Sequence, residues 1–224
     1  MQILRIASRA IVVIYSTIPS WWILIHPFAE RWRKMRRSPY RALVPIWIAM
    51  WIVAVAITWP WHGVQLYSTP FAWIATLALL AISVPIYRRT SRSFGRPNLI
   101  GQSELRPDEF EQNLVTTGLH ARMRHPVYLA HLGTILAFTI GSGLLVNYAL
   151  LGFAIITGAL MISLEERELE SRFGGQWREY KRQVGVLPSG TKPVRHSRPR
   201  LWTESSGSKN RTSEKPLPYE GRGQ

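Results

Sequence analysis

Five apolar runs of membrane-crossing length dominate this chain and restrict the folds open to it. They occupy residues 10–28, 42–61, 70–87, 127–145 and 146–164. A helix needs about 20 predominantly apolar residues to cross the hydrocarbon core of a bilayer. Inside that core, every backbone N–H and C=O must find its partner within the protein, and a helix provides this. The sequence therefore predicts an all-α integral membrane protein with about five transmembrane helices, in a membrane domain of residues 1–188.

The last two runs are continuous with each other and predict a helical hairpin. Together they are far longer than a single ~30 Å crossing requires. Gly141, Ser142 and Gly143 interrupt the apolar residues near the middle, and small residues of this kind are typical of a tight connection. One long buried helix with small residues at a packing face is the alternative, but the length of the segment disfavours it.

The first run is expected to remain in the protein as a span. It is the least regular of the five, because it is interrupted by Ser16, Thr17, Pro19 and Ser20. A cleaved signal peptide would carry its positive charge ahead of a short apolar core. Here the stronger basic cluster, residues 31–41, follows the run instead.

The chain is strongly basic, and the positions of its basic residues indicate what it binds. The chain has 28 Lys and Arg against 13 Asp and Glu, a formal net charge of +15. No zinc-finger spacing or ribonucleoprotein-type aromatic strand accompanies them, and they lie between the apolar runs. We therefore expect the lipid bilayer as the partner and no nucleic acid.

The connection 62–69 has no Lys or Arg, whereas 31–41 and 88–124 are rich in them. By the positive-inside rule, the basic connections face the cytoplasm. The sequence thus predicts a multi-pass membrane protein, in the inner membrane if its source is bacterial.

Ten tryptophans are distributed along the chain, most of them in or beside the apolar runs. Trp21 and Trp22 are expected near the lipid headgroups, where amphipathic rings settle. Trp47, Trp51 and Trp73 fall inside or near the start of runs, where helix packing or lipid contact is the expected role.

No metal site is predicted. The chain has no cysteine, which excludes thiolate ligands and a disulfide framework. His120, His125 and His131 invite a metal hypothesis, since His is the usual ligand, but these three need not converge on one point. We expect His131 to pack against a neighbouring helix.

A new pattern begins at Glu165. Apolar residues recur at helical spacing among charged ones, which is typical of an amphipathic helix; they are Leu169, Phe173, Trp177, Tyr180 and Val184. Gly174 and Gly175 are expected to divide this stretch into two short helices, lying at the headgroup boundary or covering a pocket. Residues 189–224 are rich in Pro, Gly, Ser and basic residues and predict a disordered tail.

Ionisable residues stand at the same end of the predicted hairpin. An Arg-His-Pro sequence at 124–126 opens the fourth run, where the unpaired N–H groups of a helix N-terminus suit a polar ligand. Glu165 and Glu166 end the fifth run, and Glu165 shares the helix face of apolar Leu169. Such groups normally face a cavity or a partner, which predicts a pocket here. The alternative is that His125 only caps its helix and that the glutamates only begin a solvated helix.

Taken together, these residues resemble the isoprenylcysteine carboxyl methyltransferase and phospholipid methyltransferase group of membrane enzymes. The similar text is LVTTGLHARMRHPVY at 114–128, the small-residue hairpin, and EERELESRFGGQWREYKRQV at 165–184. The resemblance covers about residues 112–188, which would be the catalytic half. It implies binding of S-adenosyl-L-methionine on the cytoplasmic side and methyl transfer to a lipophilic acceptor that enters from the membrane.

The resemblance also implies roles for individual residues. The cofactor site would be lined by Gln112, Asn113, Leu114, Val115, His120, His125, Pro126, Val127 and Tyr128, with Glu165 and Glu166 holding the polar end or the ribose of the cofactor. His120 stands where the family has a tyrosine. Met161 stands where the carboxyl methyltransferases have an arginine that faces the acceptor, which argues against a prenylcysteine carboxylate as substrate. An amine or thiol acceptor would need a base, and Glu166 or His120 is the nearest candidate.

Two other functions stay open at this point. Membrane sterol and steroid reductases resemble the same half of the chain and bind a nicotinamide cofactor at an R-H-P-N-Y motif. Val127 occupies the position of that asparagine, which disfavours an NADPH-dependent reductase. The other alternative is a non-catalytic membrane scaffold that retains the hairpin.

Overall fold

The computed structural model describes residues 2–106, 109 and 113–188, so the predicted disordered tail at 189–224 lies outside the described residues. The described part is helical and contains no strand. Its α-helices are α1 (Gln2–Ser16), α2 (Ile18–Ile25), α3 (Ala29–Arg33), α4 (Tyr40–Thr58), α5 (Phe71–Phe94), α6 (Arg96–Leu99), α7 (Gln102–Leu105), α8 (Pro126–Ser142), α9 (Leu145–Phe173) and α10 (Gly175–Gln183). Short 3₁₀ turns cover His26–Phe28, Trp59–Trp61 and Gly118–Ala121. The predicted fold class, an all-α membrane protein, is confirmed.

In the part of the chain that the structure describes, four helical segments are long and apolar enough to cross a membrane. They are Gln2–Arg33, Tyr40–Trp61, Phe71–Ser93 and Leu145–Phe173. α8 is also apolar but has only 17 residues. The five predicted runs therefore correspond to four helices of spanning length and the shorter α8.

The first of these segments starts earlier than the apolar run and is interrupted. α1 begins at Gln2, and the buried Ser8 on this helix donates its hydroxyl to the carbonyl of Phe138 at 2.8 Å, which joins this part of α1 to the bundle. The α-helix breaks at Thr17, and Pro19 lies in the first turn of α2. Proline has no N–H to donate to the preceding turn and is favoured in the first turn of a helix, which is consistent with a new helix beginning here.

The two ends of the helix bundle differ in composition. At one end, the uncharged connection 62–69 bonds to the turn between α8 and α9, where the Leu66 N–H donates to the Gly143 carbonyl at 2.9 Å. At the other end, Nε of Arg33 donates to the carbonyl of Glu104 at 2.7 Å. The basic connections that follow α3 and α5 therefore meet at the end opposite to the uncharged connection.

Small residues let α8 approach α5 closely. A Cβ added at Gly133 would overlap the hydroxyl of Ser83, and one added at Gly141 would overlap the hydroxyl of Thr76. Thr76 also donates its hydroxyl to the carbonyl of Ala137 at 2.7 Å. Close contact through small residues and hydrogen bonds between helices is the usual basis of packing inside a membrane, where lipid is as apolar as the side chains.

The hairpin turns where the sequence predicts it. α8 ends at Ser142, Gly143 has a left-handed backbone (φ 62°), and α9 begins at Leu145. A Cβ at Gly143 would overlap the backbone carbonyl of Tyr67. Glycine is therefore required here both for its conformation and for the close approach of the 62–69 connection.

The prediction of two short helices after the last apolar run is wrong for the first of them. α9 continues without a break through Glu165 to Phe173, because this stretch consists of good helix formers. Arg172 also bonds to Glu168 one turn earlier, at 2.9 Å, which supports a helix across this boundary. The predicted break occurs at Gly174, whose φ is 52°, and α10 follows it.

Replacing Gly141 by alanine should lower the free energy of unfolding by about 1–3 kcal/mol, because the added methyl group overpacks the contact with α5. Its neighbours there are Thr76 and Trp73. The matched control is Gly152→Ala in α9, where no atom lies within 4 Å of the added Cβ and alanine favours the helix. Thermal unfolding of both variants in one detergent measures the difference. A loss in Gly152→Ala as large as that in Gly141→Ala would contradict the packing argument.

Candidate functional site

A cavity of about 370 Å³ opens among the helices at the end where the basic connections meet. Its walls come from α1, α2, α4 and α5, from α7, from the segment before α8 and the start of that helix, and from the end of α9 and α10. Small-molecule sites in proteins usually measure ~300–1,000 Å³. The cavity is therefore large enough for one ligand of that kind.

His125 lies between two carboxylates at the edge of this cavity. Its Nδ1 is 3.4 Å from Oε2 of Glu165, and its Nε2 is 3.4 Å from Oε1 of Glu166. The residue precedes Pro126, the first residue of α8, and takes the N-cap position that the sequence predicts. Its side chain does not cap the helix and turns to α9 instead, so the capping alternative does not describe it.

The carboxylates determine the charge of His125. Burial by itself would lower the pKa of His125, but Glu165 and Glu166 outweigh that effect and raise it to about 9. His125 is therefore an imidazolium at neutral pH. Burial, together with the nearby His125 cation, lowers the pKa of His120 to about 4. His120 is therefore a neutral imidazole at neutral pH, whereas His125 carries a positive charge.

Glu166 points away from the cavity. Its carboxylate accepts from Arg124 at 2.8 Å and from Lys181 at 2.8 Å. Arg124 also donates to the carbonyls of Lys181, at 3.3 Å, and Val184. Glu166 therefore joins the start of α8 to α10, and this position does not favour the predicted alternative in which it acts as a base on the acceptor.

The remaining predicted residues surround the cavity, apart from Gln112, which lies outside the described residues. Those lining it are Asn113, Leu114, Val115, His120, His125, Pro126, Val127, Tyr128 and Glu165. They come from the segment before α8, the first turn of α8 and the end of α9. The structure thus brings together residues that lie far apart in the sequence. Their binding of a cofactor stays a prediction.

The apolar face of α10 covers one side of the cavity. Trp177 and Tyr180 are almost fully buried, at 1% and 6% exposure, and pack with Leu114 and Phe173. The hydroxyl of Tyr180 donates to the carbonyl of His120 at 2.7 Å. α10 therefore folds over the cavity, which is one of the two positions expected for the amphipathic stretch. The Tyr180 hydrogen bond joins this cover to the predicted site.

An aromatic wall faces the ionic residues across the cavity, and sequence reasoning did not find it. Its members come from α1, α2, α4 and α5; they are Tyr15, Trp21, Trp22, Trp47 and Tyr87. Trp21 is 9% exposed and packs on Trp47 with ring centroids 5.2 Å apart. Helix packing turns the rings of Trp21 and Trp22 toward the cavity, and their expected position at the level of the headgroups stays a prediction. The number of tryptophans was the only signal, and it did not indicate which of them meet.

Further polar residues of the cavity were also missed. Glu104 and Arg172 line it and belong to an ion-pair network, in which Arg172 lies 2.9 Å from Glu168 and 3.8 Å from Glu104. His26 lines it from the 3₁₀ turn after α2. Neither Glu104 nor His26 lies near a recognisable motif.

Tyr128 occupies a niche made by a glycine of α9. Its hydroxyl donates to the carbonyl of Ala154 at 2.8 Å, and a Cβ at Gly158 would overlap the hydroxyl and ring of Tyr128. Gly158 therefore positions the ring of a residue that lines the cavity. The resemblance did not indicate this glycine.

The stability of the ligand-free protein should fall as the pH rises through the range in which His125 loses its proton. The pKa of His125 is about 9 in the folded protein and about 6.5 in an unfolded chain. Its contribution is therefore complete below about pH 6.5 and is lost as the pH passes about 9. Thermal unfolding of the detergent-solubilised protein across this range should show a smaller decrease in His125→Gln than in the wild type. The control is His62→Gln, which removes an exposed histidine. The same pH dependence in His125→Gln as in the wild type would contradict the raised pKa of His125.

Comparison with known proteins assigns no family to this chain. No family model, no curated protein and no solved structure matches it. The geometry of the cavity and the residues that carry the resemblance are therefore the observations that bear on function.

Proposed function

We propose that this protein transfers a methyl group from S-adenosyl-L-methionine to a lipophilic acceptor at the membrane. The observation that carries the proposal is that one cavity joins the His125–Glu165 pair to an aromatic wall formed by apolar helices. A polar cofactor and an apolar acceptor need these two environments side by side. The two walls come from different halves of the chain and meet only in the fold.

The charges around the cavity favour a cationic ligand over a phosphorylated one. Both guanidinium groups that line it are already engaged by carboxylates, Arg124 by Glu166 and Arg172 by Glu168. The phosphates of NADPH would have to displace these pairs, since phosphate recognition normally uses such cations. S-adenosyl-L-methionine carries a sulfonium and an ammonium group against one carboxylate. The engaged guanidinium groups therefore favour a methyltransferase over an NADPH-dependent reductase.

Glu165 is the residue we assign to the polar end or the ribose of the cofactor. Its oxygen is 3.4 Å from His125 Nδ1, longer than the ~2.7–2.9 Å of a well-formed charge-assisted hydrogen bond. The carboxylate therefore keeps capacity for an ammonium or hydroxyl group of a ligand. His125 holds it in place.

The chemistry requires little further machinery from the protein. The bound cofactor would supply a methyl group already activated by its positive sulfur. The residues around it then have to align the acceptor and exclude water. Tyr128 and the aromatic wall offer ring faces that stabilise a cation, and the α10 cover shields the site from solvent.

We further propose that the site faces the cytoplasm. The basic connections 31–41 and 88–106 lie at the same end of the bundle as the cavity, whereas the uncharged connection 62–69 lies at the other end. The positive-inside rule places such basic ends on the cytoplasmic side. In a bacterial source, the membrane would be the inner membrane.

Binding of S-adenosyl-L-methionine to the purified protein tests the proposal. Wild type should bind it saturably, and Glu165→Gln should weaken binding by about 10–100-fold, since a hydrogen bond to a charged group contributes about 1.5–3 kcal/mol. The matched control is Glu170→Gln, because Glu170 lies on the same helix, outside the cavity, and pairs with Arg178. Equilibrium dialysis with labelled ligand measures all three.

The same assay run with NADPH separates the alternatives. Saturable binding of NADPH in place of S-adenosyl-L-methionine would assign the chain to the reductases. Binding of neither ligand would favour the membrane scaffold. Equal affinities in Glu165→Gln and Glu170→Gln would contradict the role given to Glu165.

Gly158→Ala should lower the affinity for S-adenosyl-L-methionine by about tenfold, or about 1.4 kcal/mol. The added methyl group would push Tyr128 out of its niche and into the cavity. Gly152→Ala, on the same helix with open space around the added Cβ, should bind as the wild type does. The assay is run at a temperature where both variants are folded. Unchanged binding in Gly158→Ala would show that Tyr128 does not shape the ligand site.

A further inference from the structure

His26 is buried in the wall of the cavity without a hydrogen bond from its ring. It is 6% exposed and lines the same cavity as Glu165 and His125. Neither of its ring nitrogens has a hydrogen-bond partner among the residues that the structure describes. The ring stacks on Trp22, with centroids 5.2 Å apart and planes 16° apart. The stack sets the plane of the imidazole and leaves both nitrogens unpaired.

Such an arrangement is unfavourable for folding alone. A buried polar group without a partner costs free energy, and an apolar ring of similar shape would not. Nearby polar groups of the same helices do have partners: Trp32 donates to the carbonyl of Leu24 at 2.8 Å, and Trp47 to the hydroxyl of Thr17 at 3.1 Å. The ring of His26 is one of several buried polar groups without a partner among the described residues, and it faces the cavity, so a ligand is the natural partner for its nitrogens.

We propose that His26 binds the nucleophilic group of the methyl acceptor and takes its proton, and that the acceptor is a lipophilic thiol or amine. This inference rests on the proposed methyl transfer and adds the acceptor side of the site. His26 belongs to the amino-terminal half of the chain, as do Trp21 and Trp22 beside it in the cavity wall. The aromatic wall would hold the apolar part of the acceptor, with its reactive group at His26.

The lining of the cavity favours a thiol or amine over a carboxylate. Glu104 and Glu165 both line it and would repel an anionic acceptor. Met161, which is 5% exposed, also lines it and offers no cation to such an anion. A carboxylate acceptor would moreover need no base, which would leave His26 without a purpose in the site.

The step balances in atoms and charge. A lone pair of the acceptor's sulfur or nitrogen attacks the methyl carbon and forms the new bond. The bond between that carbon and the cofactor's sulfur breaks, and its electron pair remains on the sulfur, which becomes a neutral thioether. The proton carried by the acceptor's sulfur or nitrogen passes to a ring nitrogen of His26. No oxidant or further reactant is needed.

The test uses three probes with the same alkyl chain: dodecanethiol, dodecylamine and dodecanoate. The protein is placed in phosphatidylcholine nanodiscs, whose headgroups have no free thiol or amine. Release of S-adenosylhomocysteine measures methyl transfer, and binding of S-adenosyl-L-methionine is measured separately on the same samples. The variants are His26→Phe, which keeps the stack on Trp22, and His26→Gln, which keeps a hydrogen-bonding group but cannot take the proton.

His62→Gln is the matched control. His62 stacks on Trp59 with centroids 4.7 Å apart and planes 18° apart, much as His26 stacks on Trp22. It is exposed and lies outside the cavity. Loss of a stacked histidine as such is therefore separated from loss of the histidine in the cavity.

We expect the wild type to methylate the thiol or the amine and not dodecanoate. Both His26 variants should lower that rate by about 10²–10⁴-fold, the usual contribution of a positioned base, with cofactor binding unchanged. His62→Gln should retain the wild-type rate. The thermal midpoint of His26→Phe should equal or exceed that of the wild type, because two unpaired nitrogens are removed.

Several results would overturn the inference. For the variants, they are methyl transfer at the wild-type rate in His26→Phe or in His26→Gln, and loss of cofactor binding in His26→Phe. For the wild type, they are methylation of dodecanoate alone and methylation of none of the three probes. A wild type that does not bind S-adenosyl-L-methionine would overturn the proposed function itself. An intact methyl transfer in His26→Phe would overturn the role of His26 alone.

Discussion

His125 stands between the carboxylates of Glu165 and Glu166, and the arrangement of the site depends on this contact. Successive residues of a helix project roughly 100° apart, so α9 directs one glutamate into the cavity and the other toward α10. Arg124 and Lys181 hold the second. A buried charge without its partner is strongly destabilising. Removing one residue of this ionic cluster would therefore leave the charge of another unpaired. The start of α8, the end of α9 and α10 are joined in this way.

A second ionic cluster joins the two halves of the chain. Arg33 donates to the carbonyl of Glu104 at 2.7 Å and lies 3.9 Å from Glu168. Arg172 bonds to Glu168 and lies near the Glu104 carboxylate. The amino-terminal helices are thus held against the end of α9, with the aromatic wall opposite the ionic residues. Each half contributes one of the two environments that a methyl transfer from a polar cofactor to an apolar acceptor would need.

Much of the fold followed from the sequence, because a bilayer leaves a chain few alternatives. The helical class, the hairpin turn at Gly143 and the break at Gly174 were predicted from apolar run length and glycine positions. The unbroken α9 was not, since a change from apolar to charged residues marks a change of solvent and not the end of a helix. The early start of α1 was missed because the burial of Ser8 depends on a carbonyl of α8.

The amino-acid sequence was enough to predict the helical membrane architecture and the grouping of His125 with Glu165 at one end of the hairpin. Run length and the positions of ionisable residues at run ends are local properties, and the bilayer converts them directly into structure. Three features came from the packing of the helices instead: Glu166 faces α10, α10 covers the cavity, and His26 lines the cavity beside Trp22. These features depend on which faces of distant helices meet, and an apolar helix with no strongly polar side carries no pattern that specifies its partner.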